Sequence, residues 1–385
     1  MRRLVSHSIM LVILVTAISA CKHANNSGYP IILLVPRSGA QSALGLQIDR
    51  ARIIVEQELR DANDNAVSIH EVDTTSQPTV ARAEAERALD HYHAKFLVGS
   101  ILSGETRNFL QSVLSKNVVV LANGSSDPTI RTLPYRHTGD GFFRNWPPDD
   151  AEGRAMAEFV HFIEQKKTLA VFCADDAYAR ALTHTFVQRF RELGGSANDP
   201  QIYSTSETSF ESILARVDAS RADGYYIVGL PRDLAGMYNT IRRTPGGKNT
   251  LIFTAVSAET SEFKALVNQP LNSLFYTSPS SDLTSSQYFR FKEAYKKQFK
   301  GDDPDIVASI TYDALHIAIN AVERSGNDPD RAKSYLYSMP PYPGTTGPTK
   351  FDGMGDVISK PVAIHFYENG LSRLATTPSF GGPAK

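Results

Sequence analysis

The sequence predicts an α/β protein of two doubly wound parallel-sheet lobes joined by three crossings, and three observations lead there. From Tyr29 onward, short β-branched apolar runs alternate with helical apolar patterns, the order expected of parallel strands covered by helices on both faces. Setting aside a leader of 20 from the 385 residues leaves 365, more than one hydrophobic core usually serves. The alternation is interrupted at Thr138–Asp150, Ser278–Ser286 and 337–348, stretches dense in Gly, Pro or small polar residues that read as crossings between lobes.

The chain begins with an address. Met1-Arg2-Arg3 is basic, Ile9–Thr16 is an apolar core too short to span a bilayer, and Ile18-Ser19-Ala20-Cys21 closes it with small residues before a cysteine. This looks like a bacterial lipoprotein signal over 1–20, with Cys21 the lipidated first residue of the mature chain and 21–28 a short polar tether. Several acyl chains, each worth about 0.8 kcal/mol per buried methylene, would hold the protein to a membrane surface.

In the first lobe, Ile31–Val35 is an apolar run ended by Pro36-Arg37-Ser38-Gly39, followed by a helical pattern through Leu44, Ile48, Ile54 and Leu59. Val67–Val72 and Phe96–Gly99 read as strands, Thr79–His93 and Thr106–Ser115 as helices, and the run Asn117–Leu121, through Val118, Val119 and Val120, as a buried strand leading into LANGSSDP at Leu121–Pro128. The second lobe repeats the scheme: helix Ala151–Gln165, strand Leu169–Cys173, helix Ala179–Leu193, a short strand near Ile202, helix Phe210–Ala219, strand Tyr225–Val228, helix Leu234–Arg243, and strands Leu251–Ala255 and Leu274–Thr277. Helices Gln287–Phe299 and Ile306–Arg324 return to the first lobe, while Phe351–Asp356 and the strand Val362–Tyr367 complete the second. The expected division is 29–140 plus 280–336 for lobe 1, 141–279 plus 337–374 for lobe 2, and a tail over 375–385.

Ligands of parallel α/β sheets bind beyond the carboxyl ends of the strands, so the turns Pro36–Ala40, Ser100–Glu105 and Asn123–Pro128 converge on one rim. Asn123, Gly124, Ser125, Ser126 and Asp127 offer hydroxyls, capping side chains and main-chain N–H groups suited to a carboxylate, although an ordinary strand-to-helix turn has the same composition. Trp146, the single tryptophan, lies on the first crossing, where its indole either stacks on a ligand or packs as a structural wedge. A formal net charge of −1 gives no footprint for nucleic acid. With Cys21 acylated, Cys173 is the remaining thiol and reads as a small core residue.

An enzyme finds little support: there is no HExxH, GxSxG or paired-cysteine spacing, Gly246-Gly247-Lys248 lacks the upstream glycine of a phosphate loop, and Asp61–Asn65 departs from a calcium loop at Ala66 and Val72. No cofactor or metal is expected.

SGAQSALG at Ser38–Gly45, VGSILSGE at Val98–Glu105, LANGSSDP, FRNWPPDDAEG at Phe143–Gly153, DDAYARAL at Asp175–Leu182, TYDALHIAINAV at Thr311–Val322 and GTTGPTKFDGMGD at Gly344–Asp356 belong together. In order and spacing over about 340 residues they resemble the type I periplasmic binding proteins, specifically the branched-chain amino-acid (Leu/Ile/Val) receptors of ABC importers. The resemblance implies that two hinged lobes close over a small-molecule ligand and present it to ABC permease and ATPase subunits. It implies a hydroxyl from Ser103 to a ligand carboxylate, with Gly104 and Glu105 where the family has further serines, a carbonyl from Gly124 accepting from an α-ammonium, and a hydroxyl from Ser126 touching both carboxylate and amine. Tyr178 matches a cleft tyrosine of the second lobe, or is a surface tyrosine opening a helix; Ser103 and Ser126 have the parallel alternative of being helix caps. Ser125, Trp146 and Ser257 complete the candidate set.

The second lobe departs from the family. Leu230-Pro231 stands where a tyrosine is expected, and Ala255-Val256-Ser257 where an acidic residue would neutralise an α-ammonium. Glu259 could substitute, Arg232 could instead favour a carboxylate on that side, or the ligand carries no charge there. A non-transport lipoprotein is the other reading, because outer-membrane lipoproteins that activate peptidoglycan synthases resemble this same fold.

Overall fold

The computed structural model describes residues 28–217, 222–279, 285–358 and 360–376. The leader, Cys21 and most of the expected tail lie outside them. No helix among the described residues is long and apolar enough to cross a membrane.

The first lobe is built on β1 (Tyr29–Val35), α1 (Ser42–Asp61), β2 (Val67–Asp73), α2 (Pro78–Tyr92), β3 (Phe96–Val98), α3 (Ser103–Leu114), β4 (Val119–Ala122) and β5 (Phe142–Arg144). Its sheet runs β2-β1-β3-β4-β5, every neighbour parallel, with Ile31 beside both Ile69 and Phe96, and Val120 beside Phe142. The strands read as unbroken apolar runs because both faces are covered. Ile31, Leu33, Val35, Val98 and Leu121 enter one core, and Ile32, Leu34, Leu97, Val120 and Ala122 enter another on the opposite face.

The second lobe comprises α4 (Asp149–Glu158), β6 (Thr168–Ala174), α5 (Ala177–Glu192), β7 (Ser196–Ala197), β8 (Gln201–Tyr203), α6 (Glu211–Leu214), β9 (Gly224–Val228), α7 (Pro231–Arg243), β10 (Leu251–Thr254), α8 (Ser261–Leu266) and β11 (Leu274–Pro279). Next come α9 (Ser286–Gln298), α10 (Ile306–Ser325), α11 (Pro329–Ser338), the hairpin β12 (Tyr342–Gly344) and β13 (Gly347–Thr349), then β14 (Val362–Glu368) and β15 (Leu371–Thr376). The second sheet runs β15-β14-β11-β10-β9-β6-β7, with β8 also on β6. It is parallel from β11 to β7, but β14 and β15 add antiparallel edge strands, and β15 is not among the strands expected from the sequence.

Two of the expected crossings move. Phe142–Arg144, expected within a crossing, is the last strand of the first sheet, so the chain leaves that lobe over 145–148 rather than at 140. The stretch 337–348 does not cross: Asp313 on α10 accepts hydrogen bonds from the amides of Thr345 (2.7 Å) and Thr346 (2.9 Å). Phe351 and Val357 then enter the first-lobe core instead of completing the second lobe. The cause is a buried cation. Arg144, fully buried on β5, donates Nε–H to Asp356 at 2.6 Å, and a guanidinium in that position has to bring its carboxylate with it. The third crossing therefore falls after Val357, ahead of β14.

A candidate binding cleft between the lobes

Parallel strands followed by helices direct every helix N-terminus toward the same edge of the sheet, and here two such edges face each other. The N-terminal ends of α1, α2, α3 and α10 from the first lobe, and of α5 and α7 from the second, surround one cavity of about 360 Å³. That size suits a small metabolite. Helix N-termini carry unpaired N–H groups and a partial positive charge, so the rim favours an anionic group without any basic side chain. No Lys, Arg or His lines the cavity among the described residues.

On the first lobe, α3 begins at Ser103, three residues earlier than the pattern suggested, which places Ser103, Gly104 and Glu105 in its first turn. Leu102 precedes it and no side chain caps it. The Ser103 hydroxyl accepts from the Asp127 amide at 3.3 Å, joining α3 to the LANGSSDP loop. Arg144 fixes that loop from behind by donating to the carbonyls of Ser125 (3.2 Å) and Asp127 (2.8 Å). Asn123 is tied to Thr311 on α10 at 2.8 Å.

Of the residues nominated from sequence, Ser103, Gly104, Gly124, Ser126, Trp146, Tyr178 and Ser257 line the cavity. Ser125 does not: fully buried, its hydroxyl hydrogen-bonds Thr106 and donates to the Ser100 carbonyl at 3.0 Å, inside the loop. Adjacent residues of an extended loop face opposite ways, which separates Ser125 from Ser126. Trp146 packs as a structural wedge and also faces the cavity. Its ring packs into the first-lobe core, lines the cavity, and donates Nε1–H to Glu152 at 3.1 Å.

The charged groups sit elsewhere than expected. Glu259 is turned away and accepts from the Ser278 hydroxyl, and Arg232 is exposed; neither lines the cavity. Carboxyls reach it from other elements: Glu105 on α3, and Asp175 and Asp176 at the start of α5. Asp175 is exposed and paired with Arg180. Asp176 caps α5 by accepting from the Ala179 amide at 2.9 Å, while its second oxygen is buried without a partner. Burial pushes its carboxyl up to about 6. Glu105, 1% exposed, accepts from the Ser100 hydroxyl through one oxygen and leaves the other unpartnered, and burial raises its carboxyl too. The Tyr178 hydroxyl is likewise buried without a hydrogen bond of ordinary geometry. Unpaired buried polar atoms cost about 1–3 kcal/mol each, so a cavity that keeps several is built for a polar visitor.

Much of the remaining wall is apolar, with Leu44, Ile101, Leu102, Val256, Ile306 and Val307, while Gln41, Ser76, Thr205 and Thr260 are its further polar members. Sequence reasoning missed Glu105 and Asp176, although both stand inside quoted motifs. A capping aspartate before a helix was the available signal for Asp176, whereas Glu105 stood out only as a substitution for serine.

Comparison with known proteins agrees with this architecture. The profile of the family described as Periplasmic binding protein matches residues 29–365. The chain is 21% identical over 340 residues to a protein of Pseudomonas aeruginosa named amino acid binding protein, covering 87% of this chain and 88% of that one. Among solved structures, the leucine binding protein LivK of Thermotoga maritima superposes with a TM-score of 0.81 at 22% identity, covering 90% of this chain and 98% of LivK. The branched-chain amino acid substrate-binding protein LivJ of Streptococcus pneumoniae, in complex with isoleucine, reaches 0.80 at 18% identity, covering 91% and 100%. With the two facing sheets, the cleft between them and a family match over nearly the whole described chain, this protein belongs to the periplasmic binding protein family.

Proposed function

We propose that the protein is an envelope receptor that captures an α-amino acid with an apolar side chain between its lobes and hands it to an ABC permease with its ATPase subunits. The observation that carries this reading is the composition of the cavity wall. An uncapped helix N-terminus with the hydroxyls of Ser103 and Ser126 suits a carboxylate. The unpartnered oxygens of Glu105 and Asp176 suit an ammonium, and the Leu44–Ile101–Val256–Ile306 wall suits an apolar side chain. A zwitterion satisfies both polar sets at once; a simple anion would leave the carboxyls unanswered and meet no cation. The names of the Pseudomonas relative and of LivK and LivJ point the same way.

Ligand first meets the first-lobe rim, and rotation of the second lobe about the crossings then excludes water and strengthens each polar contact. Three or four hydrogen bonds to charged groups, at about 1.5–3 kcal/mol each and less the closure cost, give micromolar binding near 8 kcal/mol. Lipidation at Cys21 would keep the receptor at the membrane that holds its permease.

The test is a thermal-shift and calorimetric screen of L-leucine, L-phenylalanine, L-glutamine, benzoate and isopentylamine. A bound amino acid at about 100 times its dissociation constant adds about 2.7 kcal/mol of stability. Binding by L-leucine or L-phenylalanine, with L-glutamine weaker and neither single-charge analogue bound, is the expected result. Tighter binding of benzoate than of any amino acid would refute the zwitterion, and silence across the panel together with capture of a peptidoglycan synthase would replace transport by cell-wall regulation.

A further inference from the structure

Behind the cavity wall lies a carboxyl that the binding reading has not used. Glu152, in the first turns of α4, is fully buried and accepts two hydrogen bonds: from Trp146 Nε1 through one oxygen at 3.1 Å, and from Thr277 Oγ1 through the other at 2.9 Å. These partners belong to different bodies. The Trp146 ring packs in the first-lobe core and lines the cavity, whereas α4 and β11 belong to the second lobe. Trp146 stands on the first crossing and Thr277 two residues before Pro279, where β11 ends. The Trp146–Glu152 bond thus spans the joint about which the lobes would turn, and it is the one hydrogen bond the indole N–H makes.

We propose that Glu152 is a positioning residue: it holds the Trp146 indole in place against the cavity and ties it to β11 through Thr277, so the state of this one carboxyl sets how firmly the cleft holds its solute. The proposal rests on the reading of the cavity as the solute site.

The surroundings make that state adjustable. Asp149, one turn earlier on α4, is fully buried with neither oxygen in a hydrogen bond of ordinary geometry, and its carboxyl is raised well above the usual range by burial and by Glu152. Glu259 faces Glu152 from the turn after β10, Tyr178 from α5 and Tyr226 from β9. Arg144 acts on Asp149 and is already committed to Asp356. Burial, with no cation of its own, pushes the Glu152 carboxyl up to about 7. Ionised, it accepts from both partners, and hydrogen bonds to a charged acceptor are the stronger kind. Protonated, one oxygen must donate to Thr277 and the bond to Trp146 becomes a neutral one.

Because the chain has one tryptophan, its fluorescence reports this bond directly. In ligand-free wild type, Trp146 emission is expected to change with a midpoint near 7, and L-leucine or L-phenylalanine to bind about three- to tenfold more weakly at about pH 6 than at about pH 8. Glu152→Gln keeps an acceptor for the indole but cannot ionise, so the emission step should vanish and the affinity step shrink to the part that Asp176 contributes, while the fold and a weakened affinity remain. Glu152→Ala, which strands the indole N–H, should lose about tenfold or more in affinity. Identical pH profiles for wild type and Glu152→Gln, with binding intact, would overturn the role of Glu152 alone. Absence of binding at either pH would overturn the proposed function, and the ligand-free fluorescence titration then still decides whether Glu152 holds Trp146.

Discussion

Gly104→Ala separates folding from binding, because the two should move in opposite directions. Gly104 is the second residue of α3, with φ outside the left-handed region, and a Cβ built there would meet only Pro78 Cγ at 3.8 Å, an ordinary contact. Nothing in the fold therefore opposes the methyl. Replacing a helical glycine by alanine removes freedom from the unfolded chain and stabilises by about 0.5–1 kcal/mol, or about 1–3 °C in Tm for a protein of this size. Gly104 lines the cavity, as does Pro78, the one residue its added methyl would meet, so the methyl takes up space beside the helix N-terminus. Displacing one hydrogen bond to a charged group costs about 1.5–3 kcal/mol, which weakens binding by about tenfold to a hundredfold. Differential scanning fluorimetry without ligand and calorimetry with L-leucine or L-phenylalanine measure the two effects on one preparation. A raised Tm with unchanged affinity would show that the α3 N-terminus does not hold the solute, and a lowered Tm would refute the account of the backbone at Gly104. Gly124→Ala is the contrasting case: its Cβ would stand 2.3 Å from Ile101 Cδ1, so stability and affinity should fall together.

Other outcomes follow from the same contacts. Ser126→Ala should weaken an amino-acid ligand by about tenfold in calorimetry, since its hydroxyl lines the cavity; unchanged affinity would remove the LANGSSDP loop from the site. Arg144→Met should cost about 1–3 kcal/mol in urea unfolding, because Asp356 would keep only the exposed Arg131 as its cation and the Ser125 and Asp127 carbonyls would lose their donor. A loss under about 1 kcal/mol would mean water reaches that pair. Glu152, Asp176 and Asp233 are each raised by burial, to about 7, 6 and 7. Between the ordinary carboxylate range and those values the folded chain keeps protons that the unfolded chain has released, so stability falls as pH rises and levels off above about 7. Ligand-free protein should thus melt higher at about pH 5.5 than at about pH 8, and the reverse order would contradict the burial of these carboxyls.

What was legible in the residues was local and periodic. Runs such as Ile31–Val35 and Leu169–Cys173 are apolar throughout because helices cover both faces of the sheet, and that continuity with the intervening helical patterns was enough for the α/β class and the doubled sheet. Position along such a sheet also has a chemical meaning, so turns at strand carboxyl ends could be nominated, and seven of the eight nominated residues line the cleft.

Tertiary structure decided whatever depends on partners distant in the chain. The boundary between lobes was misread because Arg144 and Asp356 pair across more than two hundred residues, drawing 351–357 onto the first lobe, and composition carries no record of such a pairing. The antiparallel β14 and β15 could not be told from parallel strands, since strand direction is set by where the chain re-enters the sheet. The sign of charge in the cleft was likewise unreadable. Glu259 is nearest in sequence to the expected acidic position yet turns toward Ser278, while Glu105 and Asp176 arrive from opposite lobes. Helix N-termini place side chains by direction rather than by sequence distance, and only the assembled lobes make those directions meet.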